Sequence, residues 1–221
     1  MEIQSTKDIK QNEKVHVCLY GPPKTGKTKL LSTLGGRTLV LNSDKGLLTL
    51  KDAENIDFIN ISNFEDMISA MKFIQTDKCD YDNVAVDSMS VVADYLLEYL
   101  EKKGVQGFEK WGQYEKYIKG IITTLRDSNR FNSVSIFELV EKENESGLLT
   151  KKVGLQGKLA SRVGYFYDLF LATRVKHTKD GSVYKIQTKT ADGYECGSRI
   201  EGLDPYIDQD LGKLFNMVRE L

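Results

Sequence analysis

The sequence predicts a three-layer α/β fold, with a mainly parallel sheet between helices and a C-terminal antiparallel hairpin. Three observations carry this. Short apolar, β-branched runs alternate with stretches whose apolar residues recur at helical spacing. One such run passes directly into a glycine-rich turn and then a helix. The length of 221 residues, 40% apolar and 29% charged, suits one globular domain with a substantial core rather than a disordered chain.

Taken in order, residues 1–14 form a polar N-terminal tail, and residues 15–221 form a single domain. The first strand is 15–20 (VHVCLY), followed by a turn and a helix over 26–34 that Gly35 and Gly36 close. Strands are expected at 38–41 and 57–61. The spacing of Phe64, Met67, Ile68, Met71 and Ile74 predicts a helix over 64–74. Residues 83–86 read as a strand stopping at Asp87, and Val91 to Leu100 as a helix. Three glycines in 102–112 predict a loop before the helix that carries Tyr114, Ile118, Ile121, Ile122 and Leu125. A strand at 133–140 leads to a long polar loop, 141–157. A helix near 158–165, a strand at 168–175, a turn at Asp180-Gly181, a strand at 183–188 and a closing helix at 211–218 complete the chain.

Composition narrows the function classes. A net charge of −1 and a pI near 6.2 argue against a monomer gripping nucleic acid through a broad basic face. A ring or filament needs only a few contacts from each subunit, so it stays open. Cys18, Cys79 and Cys196 are scattered, with no CxxC pair, which argues against a structural zinc site and suits a reducing cytosol. No run approaches a membrane span, and the expectation is a cytoplasmic protein without membrane contact.

The chemistry lies in residues 21–28, GPPKTGKT, which match G-x-x-x-x-G-K-[ST] between a strand and a helix. Gly21 and Gly26 let the backbone curl so that successive N–H groups, with Pro22, Pro23, Lys24 and Thr25 between them, face a triphosphate. Lys27 is placed to bridge the β- and γ-phosphates, Thr28 to put its hydroxyl on Mg²⁺, and Lys29 to follow on the same helix. The alternative is a plain glycine-rich turn with a surface lysine. Asp87 ends an apolar strand, expected to lie beside the strand of the loop, where it partners Mg²⁺; it equally suits a helix N-cap. Asp44, past the next strand, is the candidate to orient the attacking water, or a turn aspartate of NSDKG. Glu138 is a candidate γ-phosphate sensor or an ordinary strand-end glutamate.

The order GPPKTGKT, LVLNSD, VAVDS, LQGKLASRVGYFYDL and CGSRIEGL resembles the RecA-like ATPase core. It is closest to the short, core-only RecA/RadA-like ATPases of bacteriophages that act in recombination and single-strand annealing. Asp87 is followed by Ser88 rather than Glu, as in RecA-like proteins and unlike most AAA+ machines. The resemblance implies ATP and Mg²⁺ as cofactors, with Asp44 at the position of the family's catalytic glutamate and Glu138 at that of a glutamine-type sensor. It also implies self-assembly, with Arg199 reaching a neighbour's γ-phosphate; a surface ion pair with Glu195 or Glu201 is the competing role. Single-stranded DNA would meet two loops, 102–111 with Lys102, Lys103, Lys110, Phe108 and Trp111, and 141–158 with Lys151, Lys152 and Lys158. Lysines with aromatic planes suit a single strand, where stacking contributes about 1–3 kcal/mol per base. The alternative makes Phe108 and Trp111 core cover. Two other functions remain: a nucleotide-gated partner-binding module with negligible hydrolysis, and a small-molecule P-loop kinase, which needs an arginine-rich lid.

Overall fold

In a computed structural model, the described residues are 14–143, 147, 149–179 and 181–219. The tail reading for 1–13, and Glu145 and Asp180 of the loop and turn readings, lie outside them.

The strands are β1 (His16–Gly21), β2 (Thr38–Asn42), β3 (Ile56–Asn60), β4 (Asn83–Asp87), β5 (Asn132–Glu143), β6 (Leu149–Val153), β7 (Leu169–Thr178), β8 (Gly181–Gln187), β9 (Gly197–Ser198) and β10 (Tyr206–Asp208). The helices are α1 (Lys27–Leu30), α2 (Phe64–Ile74), α3 (Met89–Lys102), α4 (Gly107–Arg126), α5 (Leu159–Arg162) and α6 (Leu211–Arg219). The main sheet runs β10-β8-β7-β1-β5-β4-β2-β3. From β7 to β3 it is parallel, while β8 and β10 add antiparallel strands at one end.

Successive residues of the central strands are apolar on both faces, which is why the sheet is covered on both. Cys18 and Tyr20, Leu39 and Leu41, and Val84 and Val86 enter a core with α2, α3 and α4. Val17 and Leu19, Val40 and Ala85 enter a second core with α1 and α6, built on Leu30, Leu31, Leu211, Leu214 and Phe215. The predicted three-layer architecture with its C-terminal hairpin is present.

Four expectations are corrected. Strand β4 is not beside β1, because β5 lies between them and pairs in parallel with both. Residues 102–112 are not a loop: α3 runs through Lys102, α4 begins at Gly107, and Gly112 lies inside α4 with open space around its Cα. Nor are 141–157 a structureless loop, since β5 continues to Glu143 and β6 returns antiparallel beside it. The helix after β1 is also shorter than expected, one α-turn ending at Leu30 followed by a 3-10 turn over 31–33. Anion stabilisation there rests on the loop's N–H groups more than on a helix dipole.

Candidate nucleotide-binding site

The carboxyl ends of the parallel strands place the site. In register, Gly21 on β1 lies beside Glu138 on β5, and Asp87 on β4 lies between Ile136 of β5 and Asn42 of β2. Asp44 follows β2 by two residues. Chain segments far apart in sequence therefore deliver three carboxylates along one edge, on one flank of the loop. A cavity of 760 Å³ is lined there by Gly21, Pro23, Lys24, Gly26, Lys27, Thr28, Lys29, Asp44, Asp87 and Glu138, the motif and acidic residues singled out in the sequence. That volume suits a nucleotide-sized ligand.

Backbone geometry shapes the loop. Gly26 has φ +91, a conformation that strains any other residue, and a Cβ there would stand 2.5 Å from Gln209 Oε1, so the Gln209 amide would have to move as well. A Cβ on Gly21 would stand 2.2 Å from Thr173 Oγ1. The Thr25 and Thr173 hydroxyls are hydrogen-bonded at 2.6 Å, and Gln209 Nε2 donates to the Thr25 carbonyl at 2.9 Å. The loop is thus braced from β7 and from the residue after β10. Sequence reasoning missed Thr173, Gln209 and also Tyr184, which lines the cavity; no local motif marks them.

Lys27 Nζ donates to the carbonyls of Gly21 (2.8 Å) and Pro22 (2.7 Å), so its ammonium is held over the curl of the loop. Burial pushes its pKa down, opposed by Asp87, then Glu138, then Asp44. All three predicted carboxylates therefore act on Lys27. Thr28 Oγ1 donates to Asp87 Oδ2 at 2.6 Å. Asp87 is buried, and burial raises its pKa to about 6, with Asp44 adding to the rise while the Thr28 hydroxyl and Lys27 oppose it.

The helix N-cap is not Asp87 but Ser88, whose hydroxyl accepts from Ser90 N. Asp44 serves its turn, with Oδ1 accepting from Gly46 N at 2.7 Å, and lines the cavity as well. Glu138 is exposed at the cavity wall; its N–H donates to Ser90 Oγ and its carbonyl accepts from Gly154 N.

These donors fit a triphosphate with Mg²⁺. A hydroxyl and a carboxylate in contact are hard oxygen ligands, and Mg²⁺ is normally held by one or two such groups together with phosphate oxygens and waters.

The remaining candidates sit elsewhere. Arg199 pairs with Asp168 Oδ1 (3.2 Å) and donates to the Tyr165 carbonyl (2.8 Å), rather than meeting Glu195 or Glu201. Lys110 pairs with Glu101 and stands 5.7 Å from the Trp111 ring centroid, and Lys103 stands 5.5 Å from that of Tyr99. Lys152 pairs with Glu195, while Lys151 lies 4.6 Å from the Tyr194 ring centroid. Lys158 immediately precedes α5, and Lys102 ends α3. Phe108 is 98% exposed and Trp111 47%, so Phe108 covers no core and Trp111 does so only in part.

The fold and this site define a P-loop nucleotide-binding domain of the ATPase type. A family model described as an AAA domain matches residues 13–200, and the chain belongs to that family. A search of curated proteins found no match. Among the described residues, no helix is long and apolar enough to cross a membrane.

Proposed function

We propose that this chain is a RecA-like, Mg²⁺-dependent ATPase of the phage recombination and annealing type, acting on single-stranded DNA as a ring or filament. The observation that carries this reading is the path of β5. It passes the cavity at Glu138 and continues without interruption into the β5–β6 hairpin. Ser90 of α3 and Gly154 after β6 both bond the Glu138 backbone. A change at the γ-phosphate therefore has a short route to the hairpin and to α3. Tyr20, the residue before the loop, supports the same coupling: its hydroxyl donates to the Glu195 carbonyl at 2.8 Å and approaches that of Lys151 at 3.3 Å.

In this reading Asp44 orients the attacking water and Glu138 senses the γ-phosphate. Thr28 and Asp87 would hold Mg²⁺, whose charge would be available to offset that of the phosphates. The end of α3 and the middle of α4 pack on Phe64, the first residue of α2, through Tyr99 and Tyr117. The ion pairs of Lys110 and Lys152 are surface pairs, worth about 0–1 kcal/mol, which DNA phosphates can displace. Arg199 would have to leave Asp168 to reach a neighbouring subunit's phosphate, which makes turnover depend on assembly.

Anisotropy of a labelled oligothymidylate, with and without a non-hydrolysable ATP analogue, tests the proposal. Nucleotide-dependent binding that weakens with salt is expected; no nucleotide-dependent binding at low salt removes the DNA role. The engagement of Lys110, Lys151 and Lys152 within the protein favours a second reading, a nucleotide-gated module that recruits a protein partner and hydrolyses ATP negligibly. Phosphate release separates the two: equal, near-zero rates for wild type and Asp44→Ala support the module. The kinase reading lacks its lid, since residues 141–157 contain no arginine.

A further inference from the structure

Away from the nucleotide site, α2 and α4 leave an apolar groove of 350 Å³ between them. Its floor and walls include Met67, Ile68, Met71, Tyr117 and Ile121, beside Gly120. Gly120 lies in the interior of α4, where glycine weakens a helix, yet it has no positive φ, and a Cβ there would meet nothing within 4 Å. Like Gly112 it is exposed helix, and at the groove it leaves that part of the wall without a side chain.

The charged residues of the groove are all of one sign. Lys72 and Lys116 line it, and no carboxylate does. Among the described residues neither lysine makes an ion pair, as is true of most lysines of this chain, so both ammonium groups can meet a carboxylate. Of the acidic side chains of these helices, Glu115 faces Arg162, Glu109 meets Gln113 and Asp66 accepts from Ser62 N, while Glu65 does not line the groove. The floor is aliphatic and thioether-rich rather than a set of stacking planes, and methionines repack around varied side chains. This favours peptide over nucleic acid. At 1.5 Å per residue, the α2 wall from Phe64 to Gln75 runs about 16 Å, longer than the roughly 10 Å of an i, i+3/i+4, i+7 row on a docked helix.

We propose that the α2–α4 groove is a docking site for an acidic amphipathic helix of a partner protein, apolar face inward and carboxylates on Lys72 and Lys116. The proposal stands apart from the nucleotide and DNA readings.

The test uses the full chain and two labelled synthetic helical peptides, each with leucines at i, i+3, i+4 and i+7. One carries glutamates at the remaining positions and the other lysines. Anisotropy should show binding of the glutamate peptide only. Gly120→Leu fills the groove and should weaken it by about tenfold or more, with the melting temperature unchanged or raised and ATP turnover unchanged. The double variant Lys72→Glu/Lys116→Glu should reverse the preference toward the lysine peptide, an outcome that misfolding cannot produce. Equal binding of both peptides, no binding of either, or insensitivity to Gly120→Leu overturns the proposal. So does displacement of the glutamate peptide by oligothymidylate with the same variant sensitivity, or a wild-type dimer that Gly120→Leu dissociates.

Discussion

The two flanks of β5 handle charge in opposite ways. Toward the phosphate loop, Lys27, Thr28 and Asp87 are held by contacts of 2.6–2.8 Å, and Asp44 and Glu138 add their fields to the same ammonium. Beyond Glu138, along the hairpin, Lys151 rests on an aromatic ring and Lys152 on Glu195. The first flank has its ionic groups converging on one cavity, ready for a polyanion. The second has them engaged within the protein, so any polyanion there must compete. Nucleotide binding is accordingly the firmer property, and DNA contact the conditional one.

The largest expected effect breaks the convergent flank. If Asp44 orients water, Asp44→Ala should slow phosphate release by about 10²-fold or more while leaving Mg·ATP affinity nearly unchanged. Glu138→Ala should lower the rate and also abolish any effect of nucleotide on the hairpin, read as protease cleavage within residues 141–153. Unchanged rates in both variants would place the chemistry elsewhere.

The next effect sharpens the electrostatics. Asp87 has its pKa raised from 3.8 to about 6, so its ionised form is disfavoured in the fold. This penalty is absent below the unfolded value and grows as pH rises through about 4 to 6. It amounts to at most about 3 kcal/mol above pH 6, at 1.36 kcal/mol per unit. In nucleotide-free protein, Asp87→Asn keeps an acceptor for Thr28 and loses the charge. It should raise stability to urea at pH 8 by about 1–3 kcal/mol, a gain that shrinks below about 1 kcal/mol near pH 4. A gain independent of pH would contradict this origin.

A smaller effect concerns the brace. Gln209→Ala removes the bond to the Thr25 carbonyl and should weaken Mg·ATP binding by about 1 kcal/mol, near fivefold, in a titration. Gly26→Ala should be far worse. The double variant should stay impaired, because removing Gln209 relieves the clash but not the strain of φ +91; full rescue would mean that space alone matters.

The smallest effect belongs to the engaged flank. Lys110→Ala and Lys152→Ala should each change stability by less than about 1 kcal/mol, since their ion pairs are partly exposed. In the DNA reading each also lowers the salt slope of oligonucleotide binding by about one. Unchanged slopes in both would favour the partner-module reading.

Legibility followed locality. The loop, Asp44, Asp87 and Glu138 could be read because apolar runs on β1, β2, β4 and β5 end at them, and parallel topology then brings those ends together. That β5 separates β1 from β4 was not legible, since strand order depends on crossovers that no local pattern records. The hairpin was misread as a loop because its strands project past the sheet: residues 138–143 and 149–152 are all exposed or half-buried, so no buried face imposes alternation. The start of α4 was hidden by glycines, one of which, Gly112, is merely exposed helix. Thr173 and Gln209 touch the loop from 148 and 184 residues away, a distance at which sequence spacing carries no signal.

The central claim is that one ammonium group, held by the Gly21 and Pro22 carbonyls, supplies much of the grip on a triphosphate. Calorimetric titration of Mg·ATP into wild type and Lys27→Ala tests it directly. Wild type should show a measurable affinity and the variant a loss of about 2–3 kcal/mol, 30- to 150-fold, as for a hydrogen-bonded charge. Equal affinities for the two proteins would contradict it.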